Sequence, residues 1–121
     1  PAVFGRKDHC LVFGLPGNPA STLVIFSVLA ASALRKMQGS ATPEGLEVEA
    51  ILDGDVSQHP GRTSYLPGKL LLRDDARYVI PLAFTGSADL PAYAAADALL
   101  ILPADRERMQ AGEKIRILPI P

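Results

Sequence analysis

Hydrophobic and polar positions divide this chain into two kinds of text. Val3-Phe4-Gly5 and Leu11-Val12-Phe13-Gly14 are short apolar runs with β-branched and aromatic residues, separated by polar Arg6-Lys7-Asp8-His9. This pattern predicts a short hairpin or two adjacent strands. Gly14-Leu15-Pro16-Gly17-Asn18-Pro19 then breaks all regularity. From Leu23 to Leu34 apolar residues fall on nearly every face of a helix. Asn18 is a suitable N-cap, Pro19 fits the first helical position, Arg35 and Lys36 suit the last turn, and Gly39 suits a left-handed stop. A helix apolar all round is covered on more than one side, which predicts a partner surface.

Beyond Gln38–Gly45, a linker by composition, the period changes. Leu46 to Leu52 alternates as a half-buried strand does. Thr63 to Arg73 predicts one strand or two, interrupted at Pro67-Gly68, and Tyr78 to Leu82 predicts another, with Asp74-Asp75 as the tight turn before it. Asp89 to Asp97 fits one or two helical turns. Ala98 to Leu102 is a continuous apolar strand, and Lys114 to Ile120 alternates after the turn Ala111-Gly112-Glu113. Short strands with one small helix predict a small barrel or sandwich, mainly antiparallel. The chain as a whole is α+β, with a strand–loop–helix unit over residues 1–42 and a β domain over 43–121.

Composition narrows the function classes. The 121 residues and 12.8 kDa fit one ordinary domain, or a small domain carrying a piece of another. Net charge −1 and pI 6.1 leave no basic excess for a phosphate backbone, so no nucleic-acid partner is expected. One cysteine, Cys10, excludes an internal disulfide and a multi-cysteine zinc site, and agrees with a reducing compartment. The apolar run Leu23–Leu34 is too short to span a bilayer, so no membrane is expected. No signal peptide is visible, and an opening at Pro1 reads as a fragment or processed product.

The strongest chemical signal is the strand, Gly/Pro-rich loop and capped helix start from Phe13 to Ser21. Backbone N–H groups and the positive dipole end make Gly17 to Ser21 a candidate cradle for a phosphate or oxyanion. The same residues also suit a plain strand-to-helix connection. The loop is neither a Walker A sequence nor GxGxxG, which sets aside ATPase and dinucleotide readings. Arg62, after Gly61, can pair with phosphate or carboxylate in bidentate fashion or stand as a solvated rim arginine. Ser87 and Asp89 offer hydrogen-bonding groups or a helix N-cap. His9 beside Cys10 is a poor Cys–His pair, because adjacent residues in a strand point to opposite faces. Asp53 and Asp55 can share a cation or stand as turn carboxylates.

The run Val12-Phe13-Gly14-Leu15-Pro16-Gly17-Asn18-Pro19, the helix end Ala33 to Gly39, then Gly61-Arg62, Thr85-Gly86-Ser87, Ala98 to Pro103 and Ala111-Gly112-Glu113 follow in an order that resembles the C-terminal part of the molybdopterin molybdenumtransferases, the MoeA and gephyrin E-domain family. The resemblance covers essentially the whole chain. It implies the end of an α/β molybdopterin-binding domain followed by a C-terminal β-barrel. Members of the family insert molybdate into adenylylated molybdopterin with Mg²⁺, release AMP, and are cytoplasmic homodimers. The resemblance places Gly14, Pro16, Gly17, Asn18, Pro19 and Ser21 in the substrate loop, and Arg62 and Ser87 at barrel positions facing the cleft. It puts the family's lysine-bearing motif and its metal-handling acids upstream of Pro1, so the chain alone is expected to be inactive, without catalytic or metal-binding residues of its own. Ala20 stands where many relatives have valine. A non-enzymatic scaffold of this family, or an unrelated anion-binding module, is the rival expectation.

Overall fold

The computed structural model describes residues 2–83, 85, 86 and 89–120. They form two compact units, Pro1–Gly45 with Thr85–Leu90, and Leu46–Phe84 with Pro91–Pro121.

In the first unit, strands β1 (Val3–Lys7) and β2 (Cys10–Gly14) pair antiparallel, Val3 opposite Gly14 and Lys7 opposite Cys10. The turn between them is tight because Asp8 takes a left-handed conformation, φ 54°, which short polar side chains tolerate. Helix α1 (Pro19–Ile25) follows. It passes into a π-helical turn, Phe26–Ala30, closed by Ala31 N–H on Phe26 C=O, and continues as α2 (Ala31–Met37). The sequence predicts a plain helix here. The Ser27 hydroxyl, inside the wider turn, donates back to Leu23 C=O at 2.8 Å, and the Ser32 hydroxyl, just after it, to Val28 C=O at 3.1 Å. The helix stops where expected. Gly39 has φ 81°, and Ser40 N–H reaches back to Arg35 C=O at 3.0 Å.

The second unit is a closed five-stranded barrel. Its strands are β3 (Val48–Leu52), β5 (Ser64–Arg73), β6 (Ala76–Pro81), β7 (Ala98–Leu102) and β9 (Lys114–Pro119), in the order β3-β6-β5-β7-β9. Four junctions are antiparallel and one, β3 with β6, is parallel. Alternation along β9 and β3 sends Ile115, Ile117, Ala50 and Leu52 inward against Val79, Leu100 and Leu102. Arg116 and Lys114, on the other face, pair outside with Glu47 and Glu49.

The interruption expected at Pro67-Gly68 is absent, and β5 runs through it. Ser64–Gly68 pair with β7 and Gly68–Arg73 pair with β6, so the strand changes neighbours at the pair. Glycine at such a corner lets the interior close. Asp97 completes the corner: its Oδ2 accepts Leu70 N–H at 3.1 Å, and its own N–H donates to Gly68 C=O at 2.8 Å. A two-stranded ribbon, β4 (Val56–Ser57) with β8 (Arg108–Met109), stands beside the barrel, and the short helix α3 spans Leu90–Ala94.

Candidate functional site

The loop between β2 and α1 is built by its own side chains. Asn18, extended at φ −72° and ψ 121°, caps the helix: its Oδ1 accepts Ala20 N–H at 3.1 Å and Ser21 N–H at 3.5 Å. Pro19 occupies the first helical position, where a missing N–H costs nothing. Thr22 N–H donates to Asn18 C=O at 2.9 Å, and the Thr22 hydroxyl lies between the carbonyls of Asn18 and Pro16. The first-turn N–H groups that the sequence offers to an anion are therefore already met by Asn18. An anion here shares or displaces that cap. A Cβ placed on Gly17 would meet nothing within 4 Å, so the outer face of the loop is open. Gly14 ends β2 opposite Val3.

Arg62 lies in the second unit, in the segment entering β5. Gly61 precedes it with φ 113°, a conformation that suits glycine, and donates its N–H to Ala104 C=O at 2.9 Å. Every other lysine and arginine of the barrel unit is engaged. Lys69, Arg73, Arg106, Arg108, Lys114 and Arg116 pair with Asp97, Asp53, Glu113, Asp55, Glu49 and Glu47, and Arg77 donates to Glu49 C=O at 3.2 Å. Among the described residues, Arg62 is exposed and makes neither an ion pair nor a hydrogen bond. An arginine kept out of the surface ion-pair pattern keeps its planar donor fork available to a ligand.

Ser87 lies outside the described residues. Its neighbours Thr85 and Asp89 close a small loop, with Asp89 Oδ2 accepting Thr85 N–H at 3.0 Å and Asp89 N–H donating to Gly86 C=O at 3.1 Å. Asp89 thus turns one carboxylate oxygen back along the chain, a use its position before α3 did not reveal. Arg62 belongs to one unit, and the Gly14–Ser21 loop and Thr85 to the other.

Asp53 and Asp55 do not form a cation site. Asp53 pairs with Arg73 at 3.5 Å. Asp55 accepts Ala111 N–H and Arg108, both at 2.9 Å. Among the described residues no group of three or more His, Cys, Asp or Glu side chains can hold a metal ion. His9 and Cys10 both line an apolar hollow of about 520 Å³ with Leu11, Phe26, Leu34 and Met37. His9 sits in the turn and not in a strand, so strand alternation does not separate the two.

Two carboxylates are perturbed, both at the barrel's 110–113 turn. The Ala111 N–H and then the Arg108 guanidinium hold Asp55 below the ordinary carboxylate range. Arg106 and then the Gln110 N–H do the same for Glu113, and Glu113 in turn raises Arg106. These are structural staples of the ribbon β4–β8.

Sequence reasoning passed over Gln58, whose side chain is the most heavily bonded one near Arg62. Its Nε2 faces the carbonyls of Pro103 at 2.6 Å, Arg106 at 2.7 Å and Leu102 at 3.4 Å, and its Oε1 accepts from the Ser64 hydroxyl. The three carbonyl contacts span 44 to 48 residues in sequence, so no local pattern signals them.

Residues 49–120 match the family model described as the MoeA C-terminal region (domain IV). The chain is 27% identical to a molybdopterin molybdenumtransferase of Haemophilus influenzae, over 98% of this chain and 30% of that protein. It is 29% identical to molybdopterin molybdenumtransferase 1 of Mycobacterium tuberculosis, over 94% of this chain and 28% of the relative. A crystal structure of a molybdopterin biosynthesis MoeA protein from Pyrococcus horikoshii superposes with a TM-score of 0.74 at 29% identity, over 98% of this chain and 28% of that one. The chain thus spans about three tenths of the length of the relatives it matches.

Proposed function

The chain belongs to the MoeA C-terminal region (domain IV) family, and from that premise we propose that it is the C-terminal part of a molybdenum insertase. The complete protein transfers molybdate into adenylylated molybdopterin, forming molybdenum cofactor with release of AMP, and works as a cytoplasmic homodimer. The likeness to the molybdopterin molybdenumtransferases extends through the first unit as well as the barrel, which supports assigning both to one enzyme.

The observation that carries the binding role is Arg62, open in a barrel whose other described cations are all engaged. Its guanidinium meets an anionic group of the substrate through paired N–H donors. The Gly14–Ser21 loop contributes Gly17 and the capped helix start, where the positive dipole end favours negative charge. Ser87, which lies outside the described residues, is proposed to add a hydroxyl. Pro16 and Pro19 fix the loop's entry into α1, and Asn18 holds its first turn.

Mg²⁺ does not fit these residues. Asp53 and Asp55 are committed to Arg73, Arg108 and the Ala111 N–H, and no group of three or more His, Cys, Asp or Glu side chains among the described residues can hold a metal ion. Under this reading its ligands belong to the rest of the protein, as do the lysines that face the substrate. The helical run Pro19–Met37, 19 residues, is long and apolar enough to cross a membrane by length and composition, which the count Leu23–Leu34 missed. The core helix of a globular domain passes the same test, and we take it as one, covered by the remainder of its domain. Arg62→Ala in the complete protein tests the proposal: it raises the KM for adenylylated molybdopterin, and an unchanged KM refutes the binding role.

A further inference from the structure

We infer that Gln58 is a positioning residue that holds the Arg62 segment in place for substrate. The inference rests on the reading of Arg62 as a substrate ligand. The segment from Gln58 to Ser64 is tied to the opposite loop, 102–107, at three points. Gln58 N–H donates to Glu107 C=O at 2.8 Å, continuing the β4–β8 ribbon by one step. Gly61 N–H donates to Ala104 C=O at 2.9 Å. Ser64 enters β5 opposite Leu102. Arg62 lies between the last two points, and its own side chain makes no bond that would fix it.

The Gln58 side chain joins these points into one clamp. Three carbonyl oxygens converge on one end of its amide, and only the NH₂ end can meet them. Its two protons serve Pro103 and Arg106, the near pair. The Ser64 hydroxyl donates to Oε1 and prevents the amide from turning over. Pro103 C=O also accepts Arg106 N–H at 3.1 Å, so the turn that receives the clamp is itself closed. A site residue on a loop needs such supporting contacts to keep its geometry. No other side chain among the described residues ties together both ends of the Arg62 segment and the facing loop.

The test is a double-mutant cycle in the complete insertase, with molybdate and adenylylated molybdopterin as substrates. Gln58→Met keeps length and volume but removes every polar contact of the side chain. The expected result is a KM for adenylylated molybdopterin raised about tenfold, with kcat within about twofold. In the Arg62→Ala background the same change adds nothing, because it acts through Arg62. A KM unmoved by Gln58→Met, or a rise that adds in full to that of Arg62→Ala, overturns the inference. If Gln58→Met does not fold, Ser64→Ala frees the amide while keeping its donors. Its KM must rise and the rise must vanish without Arg62, and an unmoved KM overturns the clamp. An Arg62→Ala enzyme of normal KM refutes the underlying ligand reading, whereas an impaired Arg62→Ala beside a normal Gln58→Met refutes the positioning role alone.

Discussion

A Cβ placed on Gly68 would lie 2.8 Å from Cγ2 of Val79, inside the buried wall of the barrel. Gly68 is therefore fixed by space and not by turn geometry, since its φ is not in the left-handed region. Gly68→Ala must push Val79 and Leu100 aside in a packed interior, and the expected cost is about 3 kcal/mol. Thermal unfolding followed by circular dichroism checks this. Leu100→Ala in the Gly68→Ala background should recover part of the loss, since it frees the volume that the methyl invades.

The barrel strands were legible because they alternate and are bounded by turn residues: Asp74 and Asp75 do take positive φ, and Glu113 does follow a turn at Gly112. The continuity of β5 was not. A Pro-Gly pair inside a strand is a break signal, and here the change of partner at Gly68 turns it into a corner. The ribbon β4–β8 escaped because two-residue strands carry no period. Asn18, Pro19 and Gly39 announced both ends of the helix, but the π turn between them depends on carbonyl partners that composition does not encode. In the loop before the helix, the Asn18 cap on the Ala20 and Ser21 N–H groups was readable. The carbonyl contacts of the Gln58 side chain were not, because they are facts of side-chain geometry between distant parts of the chain.

The cap yields a direct prediction. Asn18→Ala removes the acceptor of Ala20 and Ser21 N–H and should cost the first unit about 1 kcal/mol. Amide exchange at Ala20 and Ser21 should quicken, while exchange at Val79 and Ile117 in the barrel core stays unchanged. Equal loss of protection at both places would contradict a local capping role.

Acid should loosen the turn at 110–113. Asp55 and Glu113 have folded pKa values below their unfolded ones, so their contribution is complete above the unfolded carboxylate pKa, about 4, and is lost as pH falls through the folded values. The urea midpoint of the chain should hold between pH 7 and about pH 5 and decline below pH 4. Asp55→Asn combined with Glu113→Gln should flatten that decline, and a decline as steep as in the parent chain would contradict the assignment.

Exposed apolar side chains predict how the 121-residue chain behaves alone. Phe26, Leu29 and Leu34 are each between 43% and 49% exposed, and Met37 is 70% exposed. Covering each large apolar side chain gains about 1.5–3 kcal/mol when burial is complete. The isolated chain should self-associate through this helix in sedimentation equilibrium, and Phe26→Glu with Leu34→Glu should return it to monomer. A parent chain that stays monomeric at high concentration would contradict this.

The central claim is that these residues are the substrate-binding C-terminal part of a molybdenum insertase, unable to act without the rest. Molybdenum insertion into adenylylated molybdopterin, followed by reconstitution of a cofactor-free molybdoenzyme, measures it directly. Active cofactor is expected from the complete protein and none from the 121-residue chain under the same conditions. Active cofactor from the chain alone, or none from the complete protein, would contradict it.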